Sequence, residues 1–284
     1  MTDSNSNKKF EPVFWKDFVG GYVAGIVNVL AGQPFDICKI RIQTLGQGSL
    51  PSVFKEIITN EGIGSLWKGS AFPLLCFGLC SSLMFPIKEK CNYYFTKLNN
   101  GESLKYWQLF IAGGIGGLSQ GFISSPMEHI RIRMQIQTKE FKPYNNSLDC
   151  VSKILKEHGV KGLYKGFTLT MMREFFLYGA YFGVYDTLRE NGPSGNVLYL
   201  LLIGGLGGMA AWTHGALIDN LKSKMQVDDF VNPKYKSLMD LKPEIKFDKI
   251  TKGFSTGLIR AFPVNVCTFF SYELSKKALY PELK

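Results

Sequence analysis

The stretch that decides the fold is PFDICKIRIQ, from Pro34 to Gln43, because it occurs three times in the chain. The second copy is PMEHIRIRMQ, from Pro126 to Gln135, and the third is LIDNLKSKMQ, from Leu217 to Gln226. The copies begin 92 and 91 residues apart, so three repeats fill the chain. A fixed period of this kind indicates internal duplication.

Each copy carries an acid, a base three positions later and a glutamine seven positions later. The acids are Asp36, Glu128 and Asp219, the bases are Lys39, Arg131 and Lys222, and the glutamines are Gln43, Gln135 and Gln226. This spacing puts the three side chains on one stripe of a helix. A second base, two positions after the first, leaves the stripe. A single copy would be typical of a solvated helix face, whereas three copies at one period predict a shared role.

The composition favours a membrane protein, since 45% of the 284 residues are hydrophobic and only 20% are charged. Four apolar runs lack Lys, Arg, Asp and Glu, and two more carry only Arg173-Glu174 or Arg260. The six runs are Phe18 to Phe35, Gly69 to Ile87, Tyr106 to Met127, Gly166 to Tyr185, Asn191 to Ile218 and Gly253 to Tyr272. A membrane-spanning helix needs roughly 17 to 25 residues. The runs therefore predict six spans, two in each repeat.

The basic residues lie mainly on one side of the predicted spans. Loops after the odd-numbered spans hold twenty Lys and Arg, and the two intervening loops hold five. By the positive-inside rule, the three long loops face the more negative compartment and both termini face the opposite one. The net charge of +10 is spread over three membrane-bounded loops rather than one patch, which argues against a nucleic-acid partner.

Other local signals point away from secretion, metal binding and enzyme chemistry. The segment from Met1 to Pro12 has no apolar core and no arginine, unlike a secretory signal or a cleaved mitochondrial presequence. The six cysteines form no C-x-x-C pair and are expected to be free packing residues. The three histidines show no ligand spacing, so no metal is expected. No glycine-rich phosphate loop or nucleophile elbow occurs, so neither a cofactor nor an enzyme activity is predicted.

Each odd-numbered span carries a pair of glycines four residues apart, such as Gly113 and Gly117, which favours close helix packing. Pro34 and Pro126 predict a kink before the acid, and Leu217 replaces proline in the third repeat. After each motif, a short amphipathic helix is expected in the loop. These helices are Ser52 to Thr59, Ser147 to Glu157 and a third from Ser237 to Phe247, which Pro243 should shorten or bend.

A second repeated phrase aligns the even-numbered spans. Trp67-Lys68-Gly69, Tyr164-Lys165-Gly166 and Lys252-Gly253 precede them. Seven positions after the final glycine lie Cys76, Arg173 and Arg260, followed by Phe77, Glu174 and Ala261; twenty positions after it lie Glu89, Asp186 and Glu273. Three positions further, Arg189 and Lys276 complete Tyr185-Asp186-x-x-Arg189 and Tyr272-Glu273-x-x-Lys276, whereas the first repeat has Asn92. Charges are thus expected at three heights along the bundle.

The threefold P-x-[DE]-x-x-[KR] motif and the W/Y-K-G phrases resemble the mitochondrial carrier family over Trp15 to Leu279. The resemblance implies an all-α fold, with six transmembrane helices in a pseudo-threefold bundle and short amphipathic helices on the matrix side. It implies one domain over residues 1–284, with repeats at about 13–104, 105–195 and 196–284. It also implies an inner-membrane location, with both termini toward the intermembrane space.

The resemblance further implies two gates that open alternately. The matrix gate would consist of Asp36-Lys39, Glu128-Arg131 and Asp219-Lys222, paired between repeats and braced by the three glutamines. The cytoplasmic gate would consist of Asp186-Arg189 and Glu273-Lys276 with Tyr185 and Tyr272, and Glu89 would add only an acid. The chain departs from the family's pattern at Leu217, at Asn92 and in the third repeat, which keeps only Lys252-Gly253 of the W/Y-K-G phrase. These departures affect the expectation that both gates are complete.

The resemblance places the substrate contacts at Cys76, Phe77, Arg173, Glu174 and Arg260. Arg173-Glu174, the phrase SPMEHIRIRMQ from Ser125 and the phrase RAFPVN from Arg260 are similar to the amino acid, ornithine and carnitine-acylcarnitine branch. Charges within spans are costly and usually functional. Two cations and one anion suit a zwitterion, with arginine on the carboxylate and Glu174 on the ammonium. The alternative is that Glu174 and an arginine only neutralise each other.

Two functions remain open at this point. The first is transport or exchange of an amino acid or carnitine ester, with the solute as the main partner and membrane lipid, cardiolipin included, at the matrix-side loops. The second is a structural subunit with the carrier fold, bound in a larger inner-membrane assembly. The charges at Arg173, Glu174 and Arg260 favour transport, since a structural subunit gains little by keeping them in a span.

Overall fold

The computed structural model describes residues 14–46, 48–138, 140–193, 196–245 and 254–279. Four predicted site residues, Phe77, Tyr272, Glu273 and Lys276, have side chains outside this description. The described chain contains helices and no strands. The α-helices are α1 (Phe14–Leu45), α2 (Leu50–Glu61), α3 (Ala71–Leu98), α4 (Tyr106–Gln135), α5 (Ser147–Leu163), α6 (Phe167–Glu190), α7 (Val197–Val227) and α8 (Phe254–Leu279).

Six of these helices are long, and each includes most of one of the six apolar runs: α1, α3, α4, α6, α7 and α8. The all-α fold with two long helices per repeat is therefore confirmed. α1, α4 and α7 continue through the repeated motif, so its acid and base lie on one helical stripe. Pro34 and Pro126 lie inside helices that the backbone forms without interruption.

A test on length and hydropathy, applied to the described residues, selects few of the long helices. Within the described residues, only Tyr22–Leu45 is long and apolar enough to count as a span by itself, with a mean hydropathy of 1.2. A bent pair, Ile63–Cys76 with Gly78–Leu98, would be a second. α4 also carries charged and amide side chains and α6 carries charged ones, and in a bundle such polar faces point toward the interior rather than toward lipid.

The long helices pack as a ring, with the closest packing between α3 and α4, α4 and α6, α6 and α7, and α8 and α1. The glycine pair of α4 explains one of these contacts. A Cβ on Gly113 would lie 2.6 Å from the Tyr178 carbonyl oxygen, and one on Gly117 would lie 2.5 Å from that of Glu174. Only glycine allows α4 and α6 to approach this closely. The equivalent pair in α7, Gly204 and Gly208, meets no described atom within 4 Å.

In each repeat, a small apolar cluster holds the loop segment that follows the motif against the odd-numbered long helix. In the first repeat, Ile37 and Cys38 of α1 pack on Val53 and Ile57 of α2. In the second, α4 packs on α5 through Ile130, Met134, Cys150 and Ile154. In the third, the cluster is Leu169, Tyr235 and Leu241. The packing role of cysteine is confirmed at Cys38 and Cys150.

The three loop helices differ in length in the way that the sequence predicts. α2 extends beyond its predicted range at both ends, and α5 begins at the predicted Ser147 and continues to Leu163. The third is only a six-residue 3-10 helix, Met239–Glu244, that contains Pro243. The shortening by proline is thus confirmed, and residues 246–253 lie outside the described residues. Gly62, which follows α2, and Gly159, which interrupts α5, have φ of 87° and 63°. Residues with a Cβ atom rarely adopt a positive φ, so glycine allows the chain to turn at these two positions.

The second base of the motif ties one repeat to the next. Arg41 donates to the carbonyl oxygens of Gln135 at 3.2 Å and Gln137 at 2.8 Å. In the second repeat, Arg133 donates in the same way to the carbonyl oxygen of Asp228 at 2.9 Å. Asp228 lies 91 residues after Gln137, so the two contacts are equivalent. The base that leaves the predicted stripe therefore joins neighbouring repeats on the matrix side.

Candidate substrate cavity and gates

Three ion pairs close a ring at the end of the bundle where the three repeated motifs lie, which is the predicted matrix gate, and each joins two repeats. Arg131 lies 2.7 Å from Asp36, Lys222 lies 2.6 Å from Glu128, and Lys39 lies 2.6 Å from Asp219. The acid of each repeat thus pairs with the base of the following repeat, and the third repeat returns to the first. Although Leu217 replaces proline, the third acid and base are both in the ring.

The arginines expected at mid-height reach down to the same acids. Arg173 donates to Glu128 at 2.7 Å and to Asp219 at 3.4 Å. The Nε atom of Arg260 lies 2.8 Å from Asp36. The sequence predicted separate charge levels at the middle and at the matrix end. The long guanidinium side chains span the gap between these levels, so the charges of both levels form one network.

Glu174 is almost fully buried, at 2% exposure, and its carboxylate is already well supplied with donors. It pairs with Arg173 and accepts hydrogen bonds from Gln120 at 2.9 Å and Ser124 at 3.3 Å. Buried carboxylates need such partners to offset their desolvation. Gln120 and Ser124 of α4 were not identified from the sequence, since an amide and a hydroxyl inside an apolar run give no charge signal.

A cavity of about 370 Å³ lies above the ring of ion pairs and contains both mid-span arginines. Its charged lining residues are Asp36, Lys39, Glu128, Arg131, Arg173, Glu174, Asp219, Lys222 and Arg260. Five of these are basic and four are acidic, so the described lining has one positive charge in excess. Such an excess favours a ligand with a carboxylate.

The first repeat contributes differently from the expectation. Cys76 is not among the residues that line the cavity, whereas Cys80, one helical turn later, is. Phe77 has a side chain outside the described residues. Trp212 of α7 also lines the cavity, and the Nζ atom of Lys39 lies 4.1 Å from the centre of its ring. The ring stabilises this gate lysine by a cation–π contact that sequence spacing gave no means of finding.

The three glutamines lie beneath the gate but do not brace it in this conformation. Gln43, Gln135 and Gln226 are buried, at 2%, 1% and 0% exposure. Among the described residues, no hydrogen bond from their side chains reaches a gate pair, and both amide atoms of Gln226 lack a partner. Their position fits the expectation from the family, while the bonds expected from a brace are missing here.

At the opposite end, the described part of the cytoplasmic gate centres on a lysine that the sequence analysis did not select. Lys88 of α3 lies 2.7 Å from Asp186 of α6 and 3.0 Å from Glu89. Arg189 is exposed and has no ion pair among the described residues. Tyr185 stacks on Tyr181, with ring centroids 5.8 Å apart. The remaining predicted members have side chains that are not described.

Titratable groups on the matrix side are shifted by the contacts that hold the loops. Burial lowers the pKa of Lys165 from 10.5 to about 8, although Asp228 opposes the shift. The hydrogen bond from Lys224 lowers the pKa of Glu244 to about 2, although burial opposes it. Burial raises the pKa of Glu61, but hydrogen bonds from Arg41 and Lys68 outweigh burial and leave the pKa lowered. These groups fasten loops to helices rather than line the cavity.

Comparison with known proteins agrees with this architecture. Three segments, residues 10–99, 102–196 and 193–283, match the family described as mitochondrial carrier protein. A glutamate/glycine mitochondrial carrier of Schizosaccharomyces pombe is 34% identical, covering 91% of this chain and 92% of the relative. A mitochondrial glycine transporter of Saccharomyces cerevisiae is also 34% identical, covering 93% of this chain and 91% of the relative.

A human mitochondrial basic amino acids transporter is 33% identical, covering 89% of this chain and 87% of the relative. Similarity of this extent, together with three matched segments, leaves no part of the six-helix ring unaccounted for. The chain therefore belongs to the mitochondrial carrier family, whose members are transporters of small solutes.

Proposed function

We propose that this carrier moves an amino acid across the mitochondrial inner membrane, and that the zwitterion binds between Arg173 and Arg260. The observation that carries the proposal is the position of these two arginines. Both line the cavity and both also contact acids of the closed matrix ring. A ligand carboxylate would compete with those acids for the guanidinium groups.

The charge balance of the cavity supports a carboxylate as the common feature of the ligand. Five basic and four acidic residues line the described cavity, so one added carboxylate makes the site neutral. Arginine suits this task, because its planar guanidinium binds a carboxylate through two parallel hydrogen bonds. The ligand would draw Arg173 from Glu128 and Asp219, and the matrix ring would lose one of its supports.

The ammonium of the ligand is assigned to Glu174. While Arg173 bonds Glu174, the acid has no need of another cation. When Arg173 turns to the ligand carboxylate, Glu174 retains Gln120 and Ser124 but loses its charged partner. A buried carboxylate without a countercharge is costly, and the ligand ammonium would restore one. Glu174 then has two states: without ligand it is neutralised by Arg173, and with ligand it is neutralised by the ammonium.

The relatives support an amino acid over a carnitine ester. Those that name a substrate name glycine, glutamate or basic amino acids. These substrates share the α-amino-acid group and differ in the side chain, which is the part that Arg173 and Glu174 would not contact. A cavity of about 370 Å³ also favours a small amino acid over a long-chain acylcarnitine. We include carnitine and its esters in the test for this reason.

A structural subunit that has lost transport remains the rival function. Its support in the sequence was the worn third repeat. The ion pairs of Asp219 and Lys222 argue against it, because the third repeat still completes the matrix ring. We further propose that the carrier exchanges one solute for another, that both termini face the intermembrane space, and that lipid, cardiolipin included, lies against the matrix-side loops. Association with a larger membrane complex belongs to the rival function.

The test is transport by purified protein in liposomes. Vesicles preloaded with unlabelled solute are given the same radiolabelled solute from a panel of glycine, glutamate, arginine, ornithine, carnitine and acetylcarnitine. We expect uptake of at least one amino acid, and loss of it in Arg173→Leu and Arg260→Leu. Uptake of carnitine esters alone would move the function to that class. No uptake of any member by protein that binds lipid and unfolds cooperatively would favour the structural subunit.

A further inference from the structure

The cytoplasmic gate lacks a cation in the first repeat. The second and third repeats carry Arg189 and Lys276 three positions after their acids, whereas the first carries Asn92 after Glu89. The Oδ1 atom of Asn92 is buried and has no hydrogen-bond partner among the described residues. A gate that joins each repeat to the next would therefore be missing one of its three bonds.

Lys88 occupies the contact that this missing cation would make. It lies on α3, four positions before Asn92 and therefore on the same face of the helix. Its ammonium lies 2.7 Å from Asp186 of the second repeat, so the bond runs between repeats as the matrix pairs do. Glu89, the acid of its own repeat, lies 3.0 Å away.

The ammonium of Lys88 is buried among protein groups rather than solvated. The residue is 5% exposed, and its ammonium lies 4.5 Å from the centre of the Phe182 ring. Burying a lysine is costly unless carboxylates and aromatic rings compensate it. By contrast, the neighbouring Lys90 is exposed. The chain thus retains at position 88 a charge that a purely apolar packing residue would avoid.

We propose that Lys88 is the first repeat's cation in the cytoplasmic gate and takes the place that Asn92 leaves. The proposal rests on the alternating gates of the proposed function, and it deepens them by naming a residue. The competing explanation is a permanent tie that only holds α3 against α6. The two differ in what happens when the charge is moved one turn along the same helix.

The experiment uses sealed mitoplasts and the accessibility of Cys80, which lines the cavity. The other five cysteines are replaced by alanine, and a membrane-impermeant methanethiosulfonate is added from the cytoplasmic face. If Lys88 helps to shut that face, Lys88→Met should raise the rate of Cys80 modification by about fivefold. Asn92→Lys in the Lys88→Met background should return the rate to that of the parent. Lys90→Met is the matched control and should leave it unchanged.

The outcomes separate the alternatives. An unchanged rate in Lys88→Met, or a raised rate that Asn92→Lys does not lower, overturns the proposal and leaves a packing role. If Lys88→Met does not assemble, Lys88→Gln takes its place, since it keeps the polar contact without the charge. Liposome uptake by the same variants reports on transport separately. A wild type that carries no solute would contradict the proposed function. The rates of Cys80 modification would still test whether Lys88 helps to close the cytoplasmic face.

Discussion

Arg173 and Lys222 share one carboxylate: the guanidinium lies 2.7 Å from Oε1 of Glu128 and the ammonium lies 2.6 Å from Oε2. One oxygen of the acid therefore belongs to the proposed substrate site and the other to the matrix gate. A ligand that removes Arg173 leaves Lys222 in place but weakens the support on Glu128. Binding and gate strength are linked through this side chain.

Replacement of Arg173 is expected to destabilise the fold as well as to stop transport. Arg173 lies among three carboxylates, Glu128, Glu174 and Asp219, and forms an ion pair with each of them. Removing one partner of a buried ion pair costs roughly 3 kcal/mol. The thermal transition in detergent should fall in Arg173→Leu, and Arg173→Lys should recover part of the stability but not full uptake.

The two partners of one gate pair should differ in the cost of their removal. Asp36 accepts a hydrogen bond from Arg131 and forms an ion pair with Arg260, so Asp36→Asn leaves two arginines without their acid. Arg131→Gln leaves Asp36 with Arg260. We expect Asp36→Asn to lower the free energy of unfolding by about 1 to 3 kcal/mol and Arg131→Gln to lower it by less. Equal losses in thermal unfolding would mean that Arg260 adds nothing to the ring.

The glutamines allow a test of the brace. Both side-chain polar atoms of Gln226 are buried without a partner in the closed ring. Replacing a buried unpaired amide with an apolar side chain of similar shape removes a desolvation cost. Gln226→Met should therefore keep or raise the thermal transition of the matrix-closed form. A marked loss of stability would show that the brace expected from the family is present after all.

The pH dependence of stability should carry a contribution from Lys165. Its pKa is lowered from 10.5 to about 8 by burial, so the folded state disfavours the charged form. Below pH 8 the full penalty is present; between pH 8 and 10.5 the folded protein gives up the proton first, and stability rises with pH. The thermal transition of wild type, minus that of Lys165→Met, should increase over this window. Lys153→Met, which alters an exposed lysine of α5, is the control.

The topology is open to cysteine labelling from one face of a sealed membrane. Lys55 of α2, Lys153 of α5 and Lys242 of the third loop are expected on the matrix side, and Lys97 near the end of α3 on the other. Each is replaced singly by cysteine in a background without cysteine. Labelling of all four from the same face would contradict the six-span arrangement, whereas three against one would support it.

The repeated motif was enough to predict three equivalent pairs of long helices, because identical spacing on three helices implies equivalent positions, whereas pairing of the acids and bases between repeats was expected only from the family resemblance. It was not enough to predict Arg173 reaching Glu128, since the reach of a side chain depends on the distance between helices. Gln120, Ser124 and Trp212 were missed because neutral residues in an apolar run carry no periodic charge signal. Lys88 was missed because it lies one position before the residue that the motif selects.

The ties made by Arg41 and Arg133 have a consequence for how freely the sequence can change. Their acceptors are main-chain carbonyl oxygens, of Gln137 in one junction and Asp228 in the other. Every residue type supplies this oxygen, so no substitution at the acceptor position deletes it. Only a substitution of the arginine can remove this hydrogen bond. The contact between repeats therefore depends on the identity of the arginine only. The acceptor residue can be Gln at one junction and Asp at the other, and the hydrogen bond is kept in both.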